Sequence, residues 1–239
     1  MSMNTTLVIN AKGGVGKTTI ATNLASYFAS HNVATTIADF DPQGSSLNWL
    51  SQRPNEAAKI HGADLAARSG STGLQIARRH IPRETQQLII DAPAGPSRLL
   101  LQDLLARTQS ILIPVAPSSI DIHATANFIK ELFLVGHVRF RYMRLAVLAN
   151  RVRSSRPVYE PLERFVASLG IEFLTRVSDS DVYVEAAERG LGVFEMPVDR
   201  SAAEQREFLP IAQWAQGQAV IESKDKIKSN VVPLNVARA

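Results

Sequence analysis

The stretch Lys12-Gly-Gly-Val-Gly-Lys-Thr-Thr19 leaves this chain fewer possible folds than any other part of it. Ahead of it, Thr5-Leu-Val-Ile-Asn10 is a short β-branched apolar run that reads as a buried strand. Behind it, Ile20 to Phe28 carries its apolar residues at helical spacing. A strand that passes through glycines into a helix makes a concave turn. Gly13, Gly14 and Gly16 let successive N–H groups point inward, and the helix adds the positive end of its dipole. Such a concavity holds phosphate.

Within it, Lys17 is placed to reach the β- and γ-phosphates and the Thr18 hydroxyl to hold Mg²⁺, so a nucleoside triphosphate suits the loop. The expected contact set is Gly13, Gly14, Val15, Gly16, Lys17, Thr18 and Thr19. A second strand, Ala34 to Asp39, closes in the turn chemistry of Asp39-Phe-Asp41-Pro-Gln-Gly44. Another, Gln87 to Asp91, ends in a carboxylate expected to hold Mg²⁺ through water. Ser110–Val115, Arg144–Asn150 and Glu172–Val177 read as further strands.

Helices are expected over 46–50, 73–81, 121–134, 157–169 and 182–188. A last one is opened by the capping box Ser201-Ala-Ala-Glu204 and runs to about Gln216. Trp49 reads as core, and 53–71 as a mostly irregular crossover in which a short strand is possible. Strands alternating with helices give an α/β class, a doubly wound, mostly parallel sheet with helices on both faces. One domain, 1–217, accounts for nearly everything, and 218–239 is a polar, lysine-bearing tail expected to be loosely ordered.

Lys12 at the head of the loop, Asp39-Phe-Asp-Pro-Gln-Gly44, the strand ending at Asp91 and the Ala92-Pro-Ala-Gly95 turn together resemble the ParA/MinD family of deviant Walker A ATPases. Among these P-loop NTPases the chain is most similar to the short, single-domain ParA-type partition and positioning ATPases. The resemblance runs from about Met3 to Gln216 and includes Ala116-Pro-Ser-Ser-Ile-Asp121.

It implies ATP and ADP as ligands with Mg²⁺, and a homodimer in the ATP state. Lys12 would cross to the phosphates of the partner subunit. Asp41 would orient the attacking water near Mg²⁺ and the γ-phosphate, with Asp39 supporting it. The helix from Asp121 would lie at or near the subunit interface. Asn150 would hydrogen-bond the adenine edge, for which an amide is suited, or simply end its strand. Where relatives carry basic residues, this chain has Ser178-Asp-Ser-Asp181, which moves negative charge to a place implicated in DNA binding.

Composition narrows the partners. Cysteine is absent, which removes disulfides, thiolate zinc sites and iron–sulfur clusters, the nitrogenase iron protein's cluster among them. The formal charge is +4 and the pI about 9.6, a mild cation suited to DNA or an acidic surface. From Leu132 to Tyr159 there is no acidic residue, while Arg139, Arg141, Arg144, Arg151, Arg153 and Arg156 occur. Arg139, Arg141, Arg151, Arg153 and Arg156 would form either a phosphate-contacting face for DNA or a solvated surface.

The expected protein is an ATP-hydrolysing switch, slow and stimulated by a ParB-like or cargo-adaptor protein. It would position a plasmid, chromosome region or protein compartment over non-specific DNA. No apolar stretch spans a bilayer, and the first strand begins without a signal peptide. A cytoplasmic, nucleoid-associated protein without a leading operator-binding domain is therefore expected, with no membrane partner.

Two alternatives remain. A MinD-like membrane switch needs a C-terminal amphipathic helix, for which Ala219 to Ala239, broken by Pro233, is a poor match. A small-molecule ligase or kinase of related fold needs an acceptor pocket, for which no added segment is evident.

Overall fold

The structure, a computed structural model, describes residues 3–66, 80–116, 118–136, 143–153 and 160–217. Seven strands form one sheet: β1 (Asn4–Val8), β2 (Thr35–Asp39), β3 (His61–Asp64), β4 (Gln87–Asp91), β5 (Ser110–Val115), β6 (Arg144–Val152) and β7 (Glu172–Ser178). Their order is β3-β2-β4-β1-β5-β6-β7, and every pairing is parallel.

Seven α-helices cover the sheet among the described residues. They are α1 (Lys17–Ser30), α2 (Ser45–Ser51), α3 (Arg98–Leu105), α4 (Ser119–Gly136), α5 (Glu160–Ser168), α6 (Asp181–Glu188) and α7 (Val198–Ala215). A single 3₁₀ turn, Val193–Glu195, precedes α7.

Successive strand residues alternate between two cores, as a sheet covered on both faces requires. Leu7, Ile90, Ile111 and Ile113 pack with Leu101, Leu104, Phe128 and Leu132 of α3 and α4 on one face. Val8, Ile89 and Leu112 pack with Leu24 and Phe28 of α1 and Phe208 and Ile211 of α7 on the other. Trp49 is 6% exposed and belongs to the interior.

Register brings the chemistry to one edge. Val8 lies beside Asp91, and Asp91 beside Asp39, so the carboxyl ends of β1, β4 and β2 finish level. The glycine loop follows β1, next to that row. In a sheet wound in both directions, the crevice outside these strand ends is where ligands bind.

Some elements differ from the sequence reading. The crossover after α2 contains β3, an edge strand pairing Thr36 to Asp39 with His61 to Asp64. Helix α3 has no counterpart in the expected set; Ser97 caps it, accepting from Leu100 N at 3.3 Å. The last helix starts at Val198, three residues before the expected capping box. Ser201 is buried inside it and its hydroxyl donates back to Pro197 O at 2.9 Å, while Glu204 accepts from Ser180 Oγ at 2.7 Å. Ser201 therefore bonds back into the first turn of a helix already begun, and Glu204 serves a tertiary contact, so neither forms the expected cap. Most of the expected helix 73–81, the start of 157–169 and the tail 218–239 lie outside the described residues.

Candidate nucleotide-binding site

Gly14 and Gly16 take φ of 76° and 87°, the left-handed region that side chains other than glycine rarely adopt. At Gly16 there is a second reason. A Cβ built there would meet Asn150 Nδ2 at 2.0 Å. Asn150, near the end of β6 and 2% exposed, donates that amide to Val15 O at 2.8 Å, so β6 braces the loop from behind.

The start of the loop is braced by a residue that the sequence reading did not single out. Asn10 is fully buried, donates to Pro114 O at 2.8 Å and Thr125 Oγ1 at 3.0 Å, and accepts from Lys12 N at 3.1 Å. Its signal in the sequence is a lone polar residue closing an apolar strand, which by itself marks only a strand end.

Lys17 opens α1, is 8% exposed, and donates from Nζ to Lys12 O at 3.3 Å across the loop. Burial pulls its pKa below the usual lysine value, against the pull of Asp91 and Asp41. The ammonium thus lies inside its own loop, close to two carboxylates. Lys12 does not turn inward. Its side chain is 47% exposed and its Nζ lies 3.9 Å from Asp121 Oδ1 on α4. Ser118 fixes that carboxylate, donating from Oγ to Asp121 Oδ2 at 2.7 Å.

Thr18 Oγ1 donates to Asp91 Oδ2 at 2.8 Å. Asp91 is 1% exposed, and burial pushes its carboxyl up to about 7; Thr18 works against that and neighbouring Asp39 adds to it. Asp91 Oδ1 is buried with no hydrogen-bond partner. A hydroxyl beside a partnerless carboxylate oxygen at a phosphate loop is a hard-oxygen donor set. It fits Mg²⁺, which keeps several waters and takes phosphate oxygens rather than a full protein cage. Among the described residues no cluster of three or more His, Asp or Glu side chains offers such a cage.

Asp39 accepts from Asp41 N at 2.9 Å and from Ser46 N and Oγ at 3.0 and 2.7 Å, so it ties the turn to the start of α2. Asp41 is half-buried, and its Oδ1 accepts from Gln43 N at 3.0 Å in an Asx turn. A cleft of about 400 Å³ beside it is lined by Phe40, Pro42, Pro93, Ala94 and Gly95, joining the turn after β2 to the Ala92–Gly95 segment after β4.

On the opposite side of the loop lies a cleft of about 360 Å³, lined by Gly16, Thr19, Asn150, Arg151, Asp179 and Tyr183 among others. Burial raises the Tyr183 pKa, helped by Glu207 and Glu204. Of the arginines weighed for DNA, Arg153 is well exposed and donates to Asp179 Oδ2 at 2.9 Å, and Arg151 Nε reaches Asp179 Oδ1 at 3.4 Å. Arg139, Arg141 and Arg156 lie outside the described residues. Arg144 is structural: it donates to Trp214 O at 2.6 Å and Ser110 Oγ at 2.6 Å, with its guanidinium 4.7 Å from the Trp214 ring centre.

Known proteins share this fold and family. The profile of the family described as "CobQ/CobB/MinD/ParA nucleotide binding domain" matches residues 6–193. A carboxysome-distribution protein A from Halothiobacillus neapolitanus is 27% identical over 204 residues, 84% of this chain and 92% of that one. The chromosome-partitioning ATPase Soj of Thermus thermophilus is 27% identical over 147 residues, 52% of this chain and 59% of that one. In three dimensions the ATP complex of a Cyanothece McdA variant superimposes with a TM-score of 0.72 at 16% identity, over 92% of this chain and 99% of that chain.

Proposed function

Because the chain belongs to the CobQ/CobB/MinD/ParA nucleotide-binding family, we propose that it is a ParA-type ATPase. ATP would hold two copies together, the dimer would grip DNA without regard to sequence, and hydrolysis would release it. One observation carries the dimer. Lys17 already occupies the loop, while Lys12, its side chain 47% exposed, stands outside it on α4's side. A second lysine so placed is available to phosphates that its own loop does not hold.

The chemistry is phosphoryl transfer to water, driven by positioning and charge stabilisation. Lys17 and Lys12 of the partner subunit would neutralise the phosphates. Asp41, beside the cleft that the Ala92–Gly95 segment also lines, orients the water. Thr18, Asp41 and, through water, Asp91 would hold Mg²⁺, whose charge would be supplied to the phosphates. The base lies in the cleft beside Asn150. Asp41 is tied into its Asx turn, which suits a slow switch that a ParB-like or cargo-adaptor protein accelerates. The cargo would be a plasmid, a chromosome region or a protein compartment, and the protein would reside on the nucleoid in the cytoplasm.

The DNA face would be the arginine-rich stretch from Arg139 to Arg156, where Arg153 is the most exposed of the described members. Binding to random-sequence duplex DNA with no nucleotide, ADP or ATP, for wild type and Asp41→Ala across a salt series, tests the reading. ATP-specific binding that persists in Asp41→Ala and falls steeply with salt supports it. No binding under any nucleotide removes the DNA matrix. Light scattering tests the dimer separately: Lys17→Ala is expected to abolish ATP-dependent dimerisation, and a surviving ATP-driven dimer would refute the loop assignment.

A second reading, an ATP-dependent small-molecule ligase, draws on the breadth of the family and on the cleft beside Asp41. Turnover that needs an added small acceptor, and no protein partner, would favour it.

A further inference from the structure

The end of β6 carries a feature that the phosphate chemistry does not use. Arg151 has φ of 59°, the left-handed region that a long side chain seldom occupies. Strained residues of this kind collect at ligand sites, where the surroundings hold them. Its side chain is 58% exposed and its guanidinium reaches two separate elements: Nε is 3.4 Å from Asp179 Oδ1 after β7, and Nη1 is 3.5 Å from Gly14 O in the glycine loop. Both are long contacts that a ligand can exchange. The group therefore bridges the phosphate loop and the segment Ser178–Ser180, and all of these border one cleft.

That cleft begins at Gly16 and Thr19 and extends away from the loop toward α6. Its walls include Val184 and Ala187 beside Tyr183, an apolar surface suited to an aromatic ring rather than to an anion. Asp179 is held in place by a second arginine, Arg153, at 2.9 Å, and this pairing keeps its carboxyl below the usual range. A planar cation anchored at its edge by a fixed carboxylate presents a face on which a purine can stack.

We propose that Arg151, steadied by Asp179, is a nucleotide-binding residue that covers the base and closes the outer side of this cleft. Arg151 then leaves the DNA face to the other arginines, and Asp179 becomes a positioning residue. This rests on the nucleotide reading above.

The test is competition against a fluorescent ATP analogue by ATP, ADP and inorganic tripolyphosphate, for wild type, Arg151→Asn, Arg151→Lys and Asp179→Asn. Asparagine tolerates the left-handed backbone, so Arg151→Asn removes the guanidinium without a conformational conflict. It should bind ATP and ADP about tenfold more weakly while tripolyphosphate stays within twofold of wild type, and Arg151→Lys and Asp179→Asn should fall between. ATP affinity of Arg151→Asn within twofold of wild type, or an equal loss for tripolyphosphate, overturns the proposal. If Arg151→Asn does not fold, Arg151→Lys decides: it should lose about threefold or more for ATP, and an unchanged affinity is the overturning result. Failure of wild type to bind ATP at all would strike the nucleotide reading itself, a distinguishable result.

Discussion

At the scale of single residues, the site is built from groups that are uncomfortable without a ligand. Asp91 has an ordinary pKa of 3.8 unfolded and about 7 folded, because burial disfavours its charge. The folded state therefore binds this proton more tightly, and the corresponding stability is lost as pH rises from about 4 to about 7. For a shift of that size the loss is on the order of 4 kcal/mol. Asp91→Asn removes the charge at almost constant shape, so the ligand-free variant should melt higher than wild type at pH 7.5 and no differently at pH 4. Melts across pH check this, and a wild type that gains stability over that window relative to the variant would contradict it. The same variant should lose the Mg²⁺ dependence of ATP binding. Gly16→Ala sets a Cβ against Asn150 at a left-handed position. The backbone alone costs roughly 1–2 kcal/mol, before the clash with Asn150 is counted. The expected result is a lower unfolding midpoint in urea and no measurable ATP binding.

At the scale of elements, the loop is set by strands that bracket it. Asn10, two residues past β1, is tied to β5 and α4, and Asn150, near the end of β6, holds Val15. Helix α4 has a further part through Asp121, which pairs with Lys12 in the single chain. With the lysine exposed and the contact at 3.9 Å, such a pair contributes about 0–1 kcal/mol. Asp121→Asn should therefore tighten ATP-dependent dimerisation by no more than about fivefold, as read by sedimentation, with Lys12→Ala abolishing the effect. Another join involves none of the loop residues. Arg53, after α2, pairs with Glu195 in the 3₁₀ turn, with side chains 6% and 10% exposed, and also donates to Gly190 O at 2.9 Å. Removing one member of such a pair strands the other, so Arg53→Ala should destabilise by about 3–5 kcal/mol in a urea titration.

At the scale of the whole molecule, a parallel sheet wound outward from β1 in both directions puts every site residue at one edge. The glycine pattern, the spacing of Lys12 and Lys17, and the strands ending at Asp39 and Asp91 were legible because each is a local instruction: a backbone that must curl, or an apolar run with a carboxylate at its end. Most of the described strands and helices followed from periodicity for the same reason, while α3 and the short edge strand β3 did not. Long-range partners were not legible. Nothing in Asp121 or Asp179 read alone says that one faces Lys12 and the other gathers Arg151 and Arg153, because those pairings depend on which strand ends the sheet order brings together. Ser201 shows the limit from the other side, since a local capping pattern yielded to burial inside a helix that had already begun. The sequence by itself determined the fold class and the glycine loop that opens α1, through local backbone chemistry. Only the tertiary structure decided what braces that loop and what each charge faces, because strand register and helix packing set those distances.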